Sequence, residues 1–164
     1  MYQRLTMIAI GTLAAVGIAL PAPAAVAASA IDEANASAVI YWSFLNRGNG
    51  KCLSTYESGE IRMVTCDTAA NAQEWHWVNS EWNTEFRLLK NKWTGKCLIS
   101  TNPVSSGTCE DWTSRHWKNT FTENDIYTLR SSETNGYLQT TDDTTVRQGA
   151  IRAISDAQWF MRAR

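Results

Sequence analysis

Residues 50–75 read GKCLSTYESGEIRMVTCDTAANAQEW, and residues 95–117 read GKCLISTNPVSSGTCEDWTSRHW. Both stretches open on Gly-Lys-Cys-Leu, carry a second cysteine 14 or 12 residues after the first, and close on tryptophan. A third stretch, residues 136–159, reads GYLQTTDDTTVRQGAIRAISDAQW. It keeps the glycine, the leucine and the closing tryptophan, but Tyr137 and Ile151 stand where the two cysteines would be. Trp75, Trp117 and Trp159 are therefore spaced 42 residues apart, twice in succession. A repeat of this length outranks any single motif, because each copy is one supersecondary unit that cannot bury its apolar face alone. The copies begin near Leu45-Asn46-Arg47, Leu89-Lys90-Asn91 and Leu129-Arg130-Ser131, which gives repeats of about 41–80, 84–120 and 125–164.

The cysteines follow from the repeat. Four cysteines allow three pairings. Both are missing together from the third copy, as the partners of one bond should be. That argues for Cys52–Cys66 and Cys97–Cys109, each inside its own repeat. On the chain-entropy estimate, a loop of this size contributes about 3 kcal/mol. The third repeat is expected to rely instead on apolar packing of Tyr137 and Ile151 or their neighbours. With no Cys-x-x-Cys in the chain, a zinc site is not expected.

Working outward, each copy holds short apolar-rich runs: Trp42–Leu45, Phe86–Leu89, Ile126–Leu129 and Trp159–Met161. Turn chemistry separates them, as in Arg47-Gly48-Asn49-Gly50, Thr94-Gly95 and Thr134-Asn135-Gly136. Short runs between Gly, Asn and Ser turns predict an all-β barrel or sandwich. Residues 67–73 (DTAANAQ) are the one place where a single helical turn is expected. The chain before residue 31 reads differently. Arg4 is its only charge, Met7–Leu20 is an apolar and small-residue run, and Ala-x-Ala sites end at Ala27 and Ala30. These are the parts of a cleaved secretory signal peptide, expected over residues 1–30, with 31–40 as a short leader. The run is too short for a comfortable membrane span, which takes about 20 apolar residues, so no membrane insertion is expected.

Without Arg4 the balance is 14 basic to 16 acidic residues, too near neutral for electrostatic capture of nucleic acid. No Gly-x-Ser-x-Gly, His-Glu-x-x-His or phosphate-cradling glycine loop occurs. The two histidines, His76 and His116, each adjoin a repeat tryptophan and read as strand or loop residues rather than bases. The residues give no reason to expect an enzyme, a cofactor or a bound metal.

Three repeats with Gly-x-Cys-Leu early and Gln-x-Trp late resemble the ricin B-type lectin family over residues 41–164. The signature is intact as Gln73-Glu74-Trp75 and degenerate as Arg115-His116-Trp117 and Ala157-Gln158-Trp159. The resemblance implies a β-trefoil, a six-stranded barrel capped by three hairpins, with the repeat tryptophans in its core. It also implies within-repeat disulfides and binding of a glycan or glycoprotein surface outside the cell. Its sugar pockets take an acidic residue directly after Cys-Leu, an aromatic two residues before the second cysteine, and an Asn–Gln pair before the tryptophan. Here the first position holds Ser54, Ile99 and Gln139, and the second Val64, Gly107 and Gly149. Asn71 and Gln73 are the nearest to the amide pair, split by Ala72.

The sugar positions are thus degenerate, and other groups become candidates. Trp82, Trp93 and Trp112 lie outside the repeated core positions, and Trp112 adjoins Glu110 and Asp111. The candidate ligand-binding residues are therefore Asn71, Gln73, Trp93, Asp111 and Trp112. The paired Asp142-Asp143 reads as a solvated hairpin. The competing expectation is a trefoil that has lost sugar binding and holds a protein partner, as the cell-binding subunits of cytolethal distending toxins resemble.

Overall fold

The computed structural model describes residues 38–164. The expected signal peptide and most of the leader lie outside the described residues. Twelve strands follow in chain order: β1 (Trp42–Asn46), β2 (Cys52–Thr55), β3 (Ile61–Val64), β4 (Trp75–Asn79), β5 (Arg87–Asn91), β6 (Cys97–Ile99), β7 (Ser105–Gly107), β8 (His116–Glu123), β9 (Ile126–Ser131), β10 (Tyr137–Thr140), β11 (Val146–Gly149) and β12 (Trp159–Ala163). Six of them close a ring, β1–β4–β5–β8–β9–β12 and back to β1, all antiparallel. The other six form three hairpins, β2–β3, β6–β7 and β10–β11. Closure removes the open edges of the six barrel strands, while β3, β7 and β11 remain the outer strands of their hairpins.

The threefold logic of the sequence is visible atom by atom. Trp75, Trp117 and Trp159 are wholly buried. Their indole N–H groups donate to the carbonyls of Leu53, Leu98 and Leu138 at 3.2, 3.1 and 3.0 Å. Each bond ties the last strand of a repeat to its hairpin and satisfies a polar atom that would be costly to bury alone. Phe44, Leu53, Met63, Leu89, Leu98, Leu129, Leu138 and Val146 fill the remaining core.

The first turn of each repeat is built the same way. Asn46 Oδ1 accepts from the N–H groups of Gly48 and Asn49, and Asn91 Oδ1 from those of Trp93 and Thr94. Ser131 Oγ does this for Glu133 and Thr134. The turn then needs a left-handed residue, supplied by Gly50, Gly95 and Asn135 at φ +67°, +66° and +57°. Asparagine is among the few side chains that tolerate this region.

Both disulfides have the expected partners, Cys52–Cys66 and Cys97–Cys109, with Cα atoms 5.0 and 4.9 Å apart. A 3-10 turn at Asn71–Gln73 stands where a helical turn was expected. Equivalent turns at Thr113–Arg115 and Ser155–Ala157 were not expected from sequence. Of the expected packing of Tyr137 and Ile151 or their neighbours, the pair itself is corrected, since Ile151 is exposed and Tyr137 faces Gly149 across the hairpin, while the neighbouring Leu138 lies in the core with Val146. The third repeat is closed by a polar residue instead. Buried Gln139 donates from Nε2 to the Ala150 carbonyl at 2.9 Å and accepts at Oε1 from the Arg152 N–H at 3.3 Å.

Candidate functional site

Gln139 is one case of a wider rule. In each repeat, one buried polar side chain is engaged in holding a loop. In the first, Gln73 is 3% exposed; its Nε2 donates to the Thr65 carbonyl and its Oε1 accepts from the Asp67 N–H, bracketing Cys66. In the second, the equivalent Arg115 donates to the Thr108 carbonyl at 2.6 Å and pairs with Glu110 at 3.0 Å, bracketing Cys109. In the third, Ala157 has no side chain to reach its loop, and Gln139 does the work from β10. A hollow of about 310 Å³ lies beside it, lined by Arg147, Gln148, Ile151 and Arg152 among others.

Asp111 is the centre of a second kind of arrangement. It sits between β7 and the Thr113–Arg115 turn and faces the loop that joins β4 to β5. Its Oδ2 accepts from the Ser80 hydroxyl at 3.0 Å and the Glu81 N–H at 2.7 Å, and its Oδ1 meets Nε2 of wholly buried His116. Desolvation raises the pKa of this carboxyl. The hydrogen bonds from His116, the Glu81 N–H and Ser80 outweigh that and hold it below the ordinary aspartate value.

This knot positions two indoles. Trp82 donates from Nε1 to the Asp111 carbonyl at 2.9 Å and lies against the His116 ring, with centroids 4.6 Å apart. The Arg115 guanidinium stands over the Trp112 ring, 4.7 Å from its centroid. Trp82 and Trp112 are nonetheless 57% and 59% exposed. Trp93 is 50% exposed in the β5–β6 turn and makes no aromatic pair with either. Asn71 is exposed at the start of its turn. The structure thus joins Asp111 and Trp112, which sequence had placed together, and adds Trp82, from a loop 29 residues away. No spacing rule in the sequence announced that pairing.

Asp142 at the third hairpin tip is not a ligand cluster. Its Oδ1 accepts from the N–H groups of Thr144 and Thr145 at 2.7 and 2.6 Å, an Asx turn, and these bonds lower its pKa to about 2. Among the described residues no group of three acidic, histidine or cysteine side chains is placed to hold a metal. No helix there is long and apolar enough to cross a membrane.

The barrel and its three hairpins match the fold of known structures. A designed threefold-symmetric protein, ThreeFoil, superposes with a TM-score of 0.65 at 17% identity, covering 74% of this chain and 96% of its own. The fold is the β-trefoil. The lectin-like SeviL, solved with asialo-GM1 saccharide, matches at 0.64 and 14% identity over 76% of this chain and 97% of SeviL. An exo-β-1,3-galactanase from Clostridium thermocellum matches at 0.67 and 17% identity over 77% of this chain but only 30% of the galactanase, so the trefoil corresponds to one part of that enzyme. The Haemophilus ducreyi cytolethal distending toxin matches at 0.62 and 14% identity over 74% of this chain and 81% of the matched chain. No protein-family model and no curated protein matches the sequence.

Proposed function

We propose that this trefoil is an exported binding protein that recognises glycans where the β4–β5 loop meets the second repeat, with Trp82 and Trp112 as the stacking surfaces. The observation that carries the reading is that two indoles more than half exposed are each fastened in place. One is held by a hydrogen bond to Asp111, the other by the Arg115 guanidinium. Large rigid rings cost little conformational entropy on binding, and pre-organised contacts favour affinity. The apolar face of a sugar ring can lie on an indole while its hydroxyls meet the neighbouring polar groups.

In this reading Asp111 and Gln73 are positioning residues. Their oxygens already accept bonds from the protein, so they set the loops rather than take sugar hydroxyls. Trp93 and Asn71 are exposed and remain candidates for further glycan contacts. The fold of SeviL and of the galactanase supports the class of ligand. Two disulfides support an oxidising, extracellular location, in keeping with the proposed signal peptide.

The replaced acceptor positions Ser54, Ile99 and Gln139 favour a second reading, in which the same tryptophan face docks a protein. A glycan array probed with oxidised protein, alongside Trp112→Ala and Trp82→Ala, tests the choice. Loss of a glycan signal in either variant, with the near-ultraviolet spectrum retained, is the expected result. A blank array at millimolar sugar would overturn the glycan reading and leave the protein-docking one.

A further inference from the structure

Arg87 departs from the threefold pattern at a place where the other two repeats agree. Across the barrel joints the register sets Trp42 opposite Trp75, Tyr127 opposite Trp159, and Arg87 opposite Trp117. Two repeats thus use an aromatic ring at this rim position and the second uses a cation. Where one copy breaks a pattern that suits packing, the departure is expected to have a functional reason.

The guanidinium is poorly compensated. It is half-buried, stands 4.6 Å from the centroid of the Trp77 ring, and donates once, to Asn119 Oδ1 at 3.0 Å. None of the ion pairs among the described residues includes it. Burial lowers its pKa, the mark of a charge taken from water. Arginine carries five N–H donors, so four remain.

Arg87 lines a cavity of about 280 Å³ together with Asn79, Ser80, Asn83 and Thr84. Asn79 lies directly across the β4–β5 ladder from Arg87. Asn83 uses its carbonyl oxygen on the N–H groups of Glu85 and Phe86, which leaves its amide N–H groups to donate. Among the described residues no side-chain hydrogen bond is made by Asn79 or Thr84, and both are exposed. No carboxylate lines the space: Glu85 is paired with Lys118, and Asp111 is engaged by Ser80, Glu81 and His116.

We propose that this cavity binds an oxyanion, a carboxylate or sulfate borne by an acidic sugar residue, with Arg87 as its counter-charge and Asn79, Asn83 and Thr84 as neutral donors. A planar guanidinium matches two oxygens of such a group at once, which a point charge does not. The cavity is small enough to take one such substituent rather than an extended ligand. The choice of a sugar as bearer of the anion rests on the glycan reading, whereas the anion contacts themselves are side chains other than Trp82 and Trp112.

The test follows the arginine Nε–H resonances of the oxidised protein during titration with sodium glucuronate, glucose and sodium sulfate at fixed ionic strength. The expected result is a saturable shift of Arg87 with millimolar glucuronate and binding at least tenfold weaker for glucose. Sulfate at least tenfold weaker than glucuronate assigns the site to an acidic sugar. Sulfate of equal strength supports the oxyanion site with free anions as its source. A shift no larger than chloride produces overturns the proposal.

Arg87→Gln should abolish the response. Asn79→Asp provides the check should that variant fail to fold, since it places a carboxylate opposite Arg87. It should raise the melting temperature by a few degrees and block glucuronate. Glucuronate binding that survives Asn79→Asp unchanged would sink the idea. Neutral-glycan binding lost in Trp82→Ala and Trp112→Ala reports the other face, so the two proposals fail separately.

Discussion

The second and third repeats have the same interior and different exteriors. Trp117 and Trp159 are both fully buried, and each donates its indole N–H to a hairpin leucine carbonyl. Outside, the second repeat is closed by Cys97–Cys109 and Arg115, and it displays Trp93 and Trp112, with Trp82 packed beside it from the β4–β5 loop. The third has no disulfide, is closed by Gln139, and displays the small polar tip around Asp142. The comparison teaches that the barrel constrains one ring and one hydrogen bond per repeat, while the means of closing the outer loop is interchangeable. Covalent and amide closures do the same geometric task, which leaves the outer surface free to diverge toward binding.

The largest expected effect tests the shared interior. Trp117→Ala and Trp159→Ala should each destabilise the fold by about 3–5 kcal/mol, the usual cost of removing a buried ring. Typical total stability is only about 5–15 kcal/mol, so either variant should be near unfolding. Trp112→Ala, five residues from Trp117, should change stability by no more than about 0.5 kcal/mol, as exposed substitutions usually do. Urea denaturation of the three variants checks this. A large loss in Trp112→Ala would make that ring structural and remove the contrast between inside and outside.

The next effect tests whether the two closures are equivalent. Replacing Cys97 and Cys109 together by serine should cost about 3 kcal/mol. Gln139→Ala removes two bonds at a buried amide and strands a carbonyl and an N–H, at about 1–3 kcal/mol. Thermal unfolding of both variants against the parent gives the ratio. If Gln139→Ala were silent, the third loop would be held by something other than that side chain.

Much of this was legible in the sequence because it lies in the interior. The 42-residue spacing located three core tryptophans, and the joint loss of Cys counterparts at Tyr137 and Ile151 gave the disulfide pairing. What was not legible depends on contacts between repeats or between distant loops. Trp82 reaches Asp111 across 29 residues, and Arg87 is an ordinary strand residue until the register sets it at a barrel joint. Gln73 illustrates the limit from the other side. Its place in Gln-x-Trp pointed to a ligand, yet the amide is buried and bonded to its own loop on both ends. A motif names a residue type; only the three-dimensional neighbourhood says whether its polar atoms are still available.

The smallest effect sharpens the exterior contrast through pH. Asp142 accepts two backbone N–H bonds in the third hairpin tip, and these lower its pKa from 3.8 to about 2. A carboxylate whose folded pKa lies below its unfolded value stabilises the native state above the unfolded pKa. That contribution is present at pH 5 and is lost as pH falls from about 3.8 through about 2. Asp142→Asn keeps an acceptor oxygen but carries no charge, so it should melt slightly below the parent at pH 5. The gap should close as the pH approaches 2. Because the group is fully exposed, solvent keeps the effect small, and salt should reduce it further. The corresponding tip of the second repeat, Ser100–Val104, has no carboxylate, so its stability should show no such step. A parent–variant gap independent of pH would mean that the Asx turn works through geometry alone, and the two tips would then differ only in sequence.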